Sequence, residues 1–211
     1  MSMKTAIKRL FGEEFNSLLL LNLLMALCCI PVVTIGPALL ALNGTFIRIL
    51  EGTCDRSRTK EFRCLLREKF WAGLCLEAAF LAYGFVLVMA VAMADALPGR
   101  SVLYMVAGAA GILFLMLGLC VTMILAAARM RFTRAVAKGI TMMLGRLPQV
   151  LLGTLVVYGL LFVCYLFYPI SVVPMMVLVL SCVAALAVGI LWPAVCELLL
   201  SGEEESVDKN N

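Results

Sequence analysis

Polar and apolar positions along the chain separate into long blocks instead of alternating. Residues 15–47, 78–94, 101–128 and 147–196 contain no Asp, Glu, Lys or Arg. A helix needs roughly 20 consecutive apolar residues to cross a hydrocarbon core about 30 Å thick. A helix buried in a water-soluble domain is shorter and keeps a polar face, whereas these blocks are apolar all round. The pattern predicts an all-α protein, a polytopic bundle of transmembrane helices. Residues 71–96 and 101–128 read as two spans joined by a turn at Leu97-Pro98-Gly99-Arg100. The second of these is long enough to require tilt or projection from the bilayer. Residues 147–168 and 170–197 read as two more spans, divided near Tyr168-Pro169 or Val173-Pro174.

Residues 15–50 are too long for one span and are broken by Pro31 and by Gly36-Pro37. Proline removes a backbone donor and clashes with the preceding helical turn, and Gly36-Pro37 reads as a turn that opens a new helix. Two readings follow: a hairpin of two short spans, or one tilted span followed by a re-entrant or interfacial helix. Basic residues concentrate in residues 51–70 and 129–146, and cytoplasmic loops carry such an excess. A hairpin places Lys4, Lys8 and Arg9 of the basic segment 1–14 on that same side. The preferred expectation is therefore six membrane segments with both termini cytoplasmic, with five spans as the alternative. Glu13 and Glu14, between those basic residues and the first apolar run, argue against a cleaved signal peptide. Residues 201–211, with Glu203-Glu204-Glu205, are expected to form a disordered acidic tail.

Composition agrees with the block pattern and narrows the chemistry. Of 211 residues, 64% are hydrophobic and 14% charged, where soluble domains average about 25% charged. The net charge of +4 resides in the membrane-flanking loops and does not imply nucleic-acid binding. Histidine is absent, which excludes Ser-His-Asp and Cys-His catalytic units and histidine zinc sites. The nine cysteines show no CxxC spacing and are expected to be free, mostly apolar fillers. No catalytic, cofactor or metal site is predicted.

Two polar residues fall inside apolar blocks and form the candidate intramembrane site: Glu77 and Asn22. Intramembrane carboxylates tend to mark ion paths or relays. The structural alternative for Glu77 is an ion pair with Arg48, Lys69 or Arg129, and for Asn22 an interhelical hydrogen bond. The pairs Ala78/Ala82, Ala107/Gly111 and Ala185/Gly189 have the four-residue spacing that lets helices approach closely. Outside the membrane, Arg63, Arg67 and Lys69 alternate with Phe62, Leu65, Leu66 and Phe70. Likewise Arg131, Arg134 and Lys138 alternate with Phe132, Val136, Ile140 and Met143. Basic amphipathic helices of this kind lie on anionic headgroups or dock a partner.

The run Leu20-Leu21-Asn22-Leu23-Leu24, followed by Cys28-Cys29-Ile30-Pro31-Val32-Val33-Thr34-Ile35-Gly36-Pro37-Ala38, resembles the N-terminal signature of the YesL family, small bacterial membrane proteins of unknown function. The resemblance implies a multi-pass protein of the bacterial cytoplasmic membrane, of Gram-positive type. It also implies an accessory or regulatory role beside carbohydrate uptake, because genes of the family often neighbour such systems. It carries no catalytic residues. The partners expected are membrane lipid and a sugar-uptake permease or other membrane protein, with a homo-oligomer as a further option. A small oligomeric transporter or channel is the competing reading, resting on Glu77, Asn22 and the broken first region.

Overall fold

A computed structural model of the protein describes residues 15–53, 57–94, 100–167 and 179–208. These form eight α-helices and one 3-10 turn, with no strand among the described residues. In chain order they are α1 (Phe15–Cys28), the 3-10 turn Val32–Thr34, α2 (Ile35–Glu51), α3 (Arg58–Glu68), α4 (Phe70–Ala94), α5 (Arg100–Ala127), α6 (Phe132–Gly145), α7 (Leu147–Leu166) and α8 (Leu180–Asp208). Four stretches are long and apolar enough to cross a membrane: Phe70–Met93, Ser101–Ala127, Leu147–Leu166 and Leu180–Leu199. The fold is a membrane-type helical bundle.

The break expected at Pro31 and Gly36-Pro37 is real, and its geometry is specific. Pro31 and Pro37 each lack an N–H, so neither can continue a helical ladder. The chain leaves α1 at Cys28, makes one 3-10 turn and restarts at Ile35. Thr34 holds the corner, its single hydroxyl proton shared between the carbonyls of Cys28 and Pro31 (2.8 Å to the latter). At its far end α2 stops in a left-handed Gly52 (φ 72°), whose N–H closes on Arg48 and Ile49 carbonyls. Glycine is the residue that adopts this conformation without a Cβ clash.

α2 is the hub of the bundle. It packs on α1, α3, α4, α5 and α8, and most of its side chains are buried. Its 17 residues span about 25 Å at 1.5 Å per residue. Its N-terminal turn touches Gly73, near the start of α4, and its last turn reaches α3 through the Arg48–Glu61 ion pair. The start of α2 thus meets α4 and its end meets α3. α1 contributes the ten-residue apolar stretch Leu19–Cys28, shorter than a full crossing.

The basic segments fold as the short helices α3 and α6, each with one face on the bundle. Phe62 and Leu65 of α3 are buried, and Arg63 and Arg67 point outward. In α6 the buried face is Ala135, Gly139 and Met142. Ile140, assigned to the apolar stripe by spacing, is exposed instead. Ala135, Gly139 and Met142 recur at i, i+4 and i+7, which puts Ile140 about 100° round the helix from Gly139, and it is at Gly139 that a Cβ would lie 3.0 Å from Val121 on α5.

Two boundaries differ from expectation. Arg100, assigned to a turn, already belongs to α5. The acidic segment from Ser201 is helical as far as Asp208 because α8 continues through it; extending an existing helix costs far less than nucleating one, and glutamate is a good helix former. The N-terminal segment 1–14, Asp95, the turn at 97–99, the division at Tyr168 or Val173-Pro174 and Cys54 lie outside the described residues.

Candidate functional site

The candidate polar residues share a chemical task that their spacing does not reveal. A helix leaves four N–H groups unsatisfied at its start and four carbonyls at its end. In hydrocarbon no water is available to take them. Pro37 removes one of these donors, but Thr34 makes no side-chain cap for the others because its hydroxyl is turned back toward α1. Glu77, half-buried on α4, supplies the missing acceptor, its Oε2 taking the Gly36 N–H at 3.1 Å. A carboxylate there also faces the positive end of the α2 dipole. The ion pair considered for Glu77 is not formed. Arg48 is bonded to Glu61, Arg129 to Glu68, and Lys69 to backbone.

The approach of α2 to α4 makes this contact possible. A Cβ on Gly36 would collide with the Gly73 carbonyl and come within 3.0 Å of the Glu77 Cβ. A Cβ on Gly73 would lie 2.8 Å from the Gly36 carbonyl carbon and closer still to Pro37. The two glycines let backbones touch, as small residues do between membrane helices. Of the small-residue pairs expected to act this way, only Ala185/Gly189 is buried. Ala107 and Gly111 are half-buried, and Ala78 and Ala82 are exposed.

Asn22 also accepts a backbone N–H: it is wholly buried on α1, and its Oδ1 takes the Ser181 N–H of α8 at 2.8 Å. Glu77 and Asn22 are therefore not brought together. Each accepts a backbone N–H from a different helix.

Lys69 performs the complementary task. Sequence spacing places it on an exposed basic face, but α3 ends at Glu68 and Lys69 turns inward at the junction with α4. It is 6% exposed, and its Nζ donates to the carbonyls of Leu125 and Ala128 at the end of α5, 2.8 Å to each. A cation at a helix C-terminus meets the negative end of the dipole. Burial pushes the ammonium below its ordinary value, partly offset by Glu68. Beside it Arg129 makes a two-pronged bond to Glu68, Nε and Nη2 each 2.6 Å from a carboxylate oxygen. That bond holds the Glu68 carboxyl below the usual carboxylate range. These contacts bind the α3–α4 junction to the α5–α6 junction, so α3 and α6 leave the same end of the bundle. There Arg63, Arg67, Arg131 and Arg134 are exposed and Lys138 is half-exposed.

Among the described residues no group of three or more Cys, Asp or Glu side chains is placed to hold a metal ion.

Residues 18–91 match the model of a family described as a protein of unknown function, DUF624. The matched stretch runs from within α1 to within α4, so it contains Asn22, the Thr34 corner, the Gly36–Gly73 contact, Glu77 and Lys69. No curated protein and no solved structure matches the chain.

Proposed function

We propose that the protein is a non-enzymatic, multi-pass protein of the bacterial cytoplasmic membrane that acts as an accessory or regulatory component beside a carbohydrate-uptake system. The observation that carries this reading is the pair of basic helices at one end of the bundle. α3 and α6 are held by protein on one face, through Phe62, Leu65, Ala135 and Met142, which leaves Arg63, Arg67, Arg131 and Arg134 free of that task. Such a surface suits anionic lipid headgroups and the acidic surface of a membrane partner. The link to carbohydrate uptake rests on the resemblance to the YesL family.

A small transporter or channel needs polar groups that face a path. Glu77 and Asn22 instead accept backbone N–H groups of neighbouring helices, which weighs against that reading. Crosslinking in native membranes, followed by purification in mild detergent, tests the proposal. Co-purification of a sugar-uptake permease, reduced when Arg63, Arg67, Arg131 and Arg134 are changed together to Gln, is the expected result. A protein that always emerges alone, or one that moves sugars or ions when reconstituted, overturns it.

A further inference from the structure

A cleft of about 430 Å³ opens between the α3–α4 junction and the α5–α6 junction. Ligand sites usually fall between about 300 and 1,000 Å³. Ala72 and Leu125 on its wall belong to the apolar stretches of α4 and α5, whereas Lys69, Arg129 and Arg131 lie just past the ends of those stretches. The cleft therefore straddles the level at which hydrocarbon gives way to headgroups. Trp71, next to Ala72 in the chain, is 77% exposed, and tryptophan is enriched at that level.

Three cations and one carboxylate, Glu68, line this space, so positive charge is in excess. The internal pairings leave that excess on two guanidinium groups. Lys69 is spent on the α5 carbonyls, and Glu68 takes only Nε and Nη2 of Arg129, which leaves Nη1 open. The exposed Arg131 side chain makes no hydrogen bond or ion pair among the described residues. Guanidinium groups match phosphate oxygens in geometry as well as charge. We infer that the cleft holds the headgroup of one anionic phospholipid, its phosphate on Arg131 and Arg129 and its glycerol and first methylenes against Ala72, Leu125 and Met130. Basic pockets between membrane helices on the cytoplasmic side bind headgroups of this kind. A soluble phosphate ester offers the same oxygens but nothing to cover the apolar wall. The site goes beyond the role proposed above, because a lipid bound in this cleft needs no permease.

The test uses the full chain carrying Trp192→Phe, which leaves Trp71 as the one tryptophan. It is reconstituted in phosphatidylcholine that bears a nitroxide quencher near the headgroup. Unlabelled phosphatidylglycerol should relieve the quenching of Trp71 at least about tenfold more effectively than unlabelled phosphatidylcholine. Arg131→Gln should cut that preference about fivefold, the worth of one cation at an anionic headgroup. Lys60→Gln makes the same charge change on α3 outside the cleft and should leave the preference intact, as should millimolar glycerol phosphate in the buffer. Gel filtration checks that each variant is folded. If Trp192→Phe is not, native mass spectrometry of the wild type and Arg131→Gln reads the same preference as retained phosphatidylglycerol. Equal relief by the two lipids overturns the inference, and so does an undiminished preference in Arg131→Gln. A loss in Lys60→Gln as large as in Arg131→Gln overturns it in favour of a diffuse surface potential, and a loss to glycerol phosphate in favour of a free phosphate ester.

Discussion

The two ends of the α4–α5 pair are built on opposite principles. At the basic end, Gly73, Glu77 and Lys69 of the α4 region are locked to α2 and to the end of α5 by backbone contact and hydrogen bonds. Toward the other end the same two helices expose apolar side chains on almost every side: Phe85 is 67% and Met105 75% exposed. Aromatic packing of Phe114 against Phe80 and Tyr83 joins the pair midway. Beyond it, Gly84 and Gly108 have no neighbour within Cβ reach. With 25 and 28 residues, the helices are about 37 and 42 Å long, so both can cross a bilayer. One region is specified by polar detail and the other by its solvent, which is lipid.

That contrast is open to attack from several directions. The largest effect is expected on the lipid-facing side. Leu81 is 63% exposed and lies near the middle of α4. In water Leu81→Lys is innocuous, but at the centre of a bilayer a lysine costs about 2.5–3.5 kcal/mol. Membrane insertion of the variant should fall accordingly, and normal insertion removes lipid from the account. Next, Gly73→Ala forces α2 off α4 and should cost about 2–3 kcal/mol as an overpacking substitution. Gly108→Ala, in the open region, should stay within about 1 kcal/mol of wild type. Equal unfolding midpoints for these two variants in detergent erase the distinction between the ends.

Smaller effects sharpen the picture at the basic end. Lys69→Met leaves the Leu125 and Ala128 carbonyls without their donor, and the unfolding free energy should drop by about 1–2 kcal/mol. The smallest effect belongs to the Glu68–Arg129 pair, which is partly in solvent and so contributes little. Its signature is pH. A carboxyl whose value is lower in the folded than in the unfolded chain binds its proton more weakly when folded, so protonation favours unfolding. The contribution is complete above the ordinary value of 4.5 and disappears as pH falls through the lowered one. Arg129→Gln should lower stability slightly above pH 4.5 and converge with wild type as the pH falls below it, which flattens the acid limb; an unaltered acid limb assigns that limb to other carboxylates.

The legibility of the sequence follows the same division. Spans governed by lipid are visible as uncharged blocks, because solvent acts on composition and composition is local. The break at Pro31 and Gly36-Pro37 is visible because proline acts on its own backbone. What joins distant helices is not. Glu77 seeks a partner among Arg48, Lys69 and Arg129 if only side-chain charges are counted, but its partner is the Gly36 backbone N–H, which the diverted threonine hydroxyl leaves uncapped. Gly73 belongs to no spaced motif, since the glycine it meets is 37 positions away. Lys69 is misplaced on an exposed face if the helical period runs unbroken from Lys60 to Trp71. The turn at the end of α3 resets the phase and carries it inside.

The central claim is that the carboxylate in the membrane region terminates a helix and does not line a path. Thermal unfolding of Glu77→Leu and Glu77→Gln, measured side by side in mild detergent, tests it most directly. Glutamine keeps an oxygen for the Gly36 N–H and should retain most of the wild-type stability, whereas leucine, which leaves that donor uncapped, should lose about 1–3 kcal/mol. Leucine and wild-type proteins that unfold alike contradict the account.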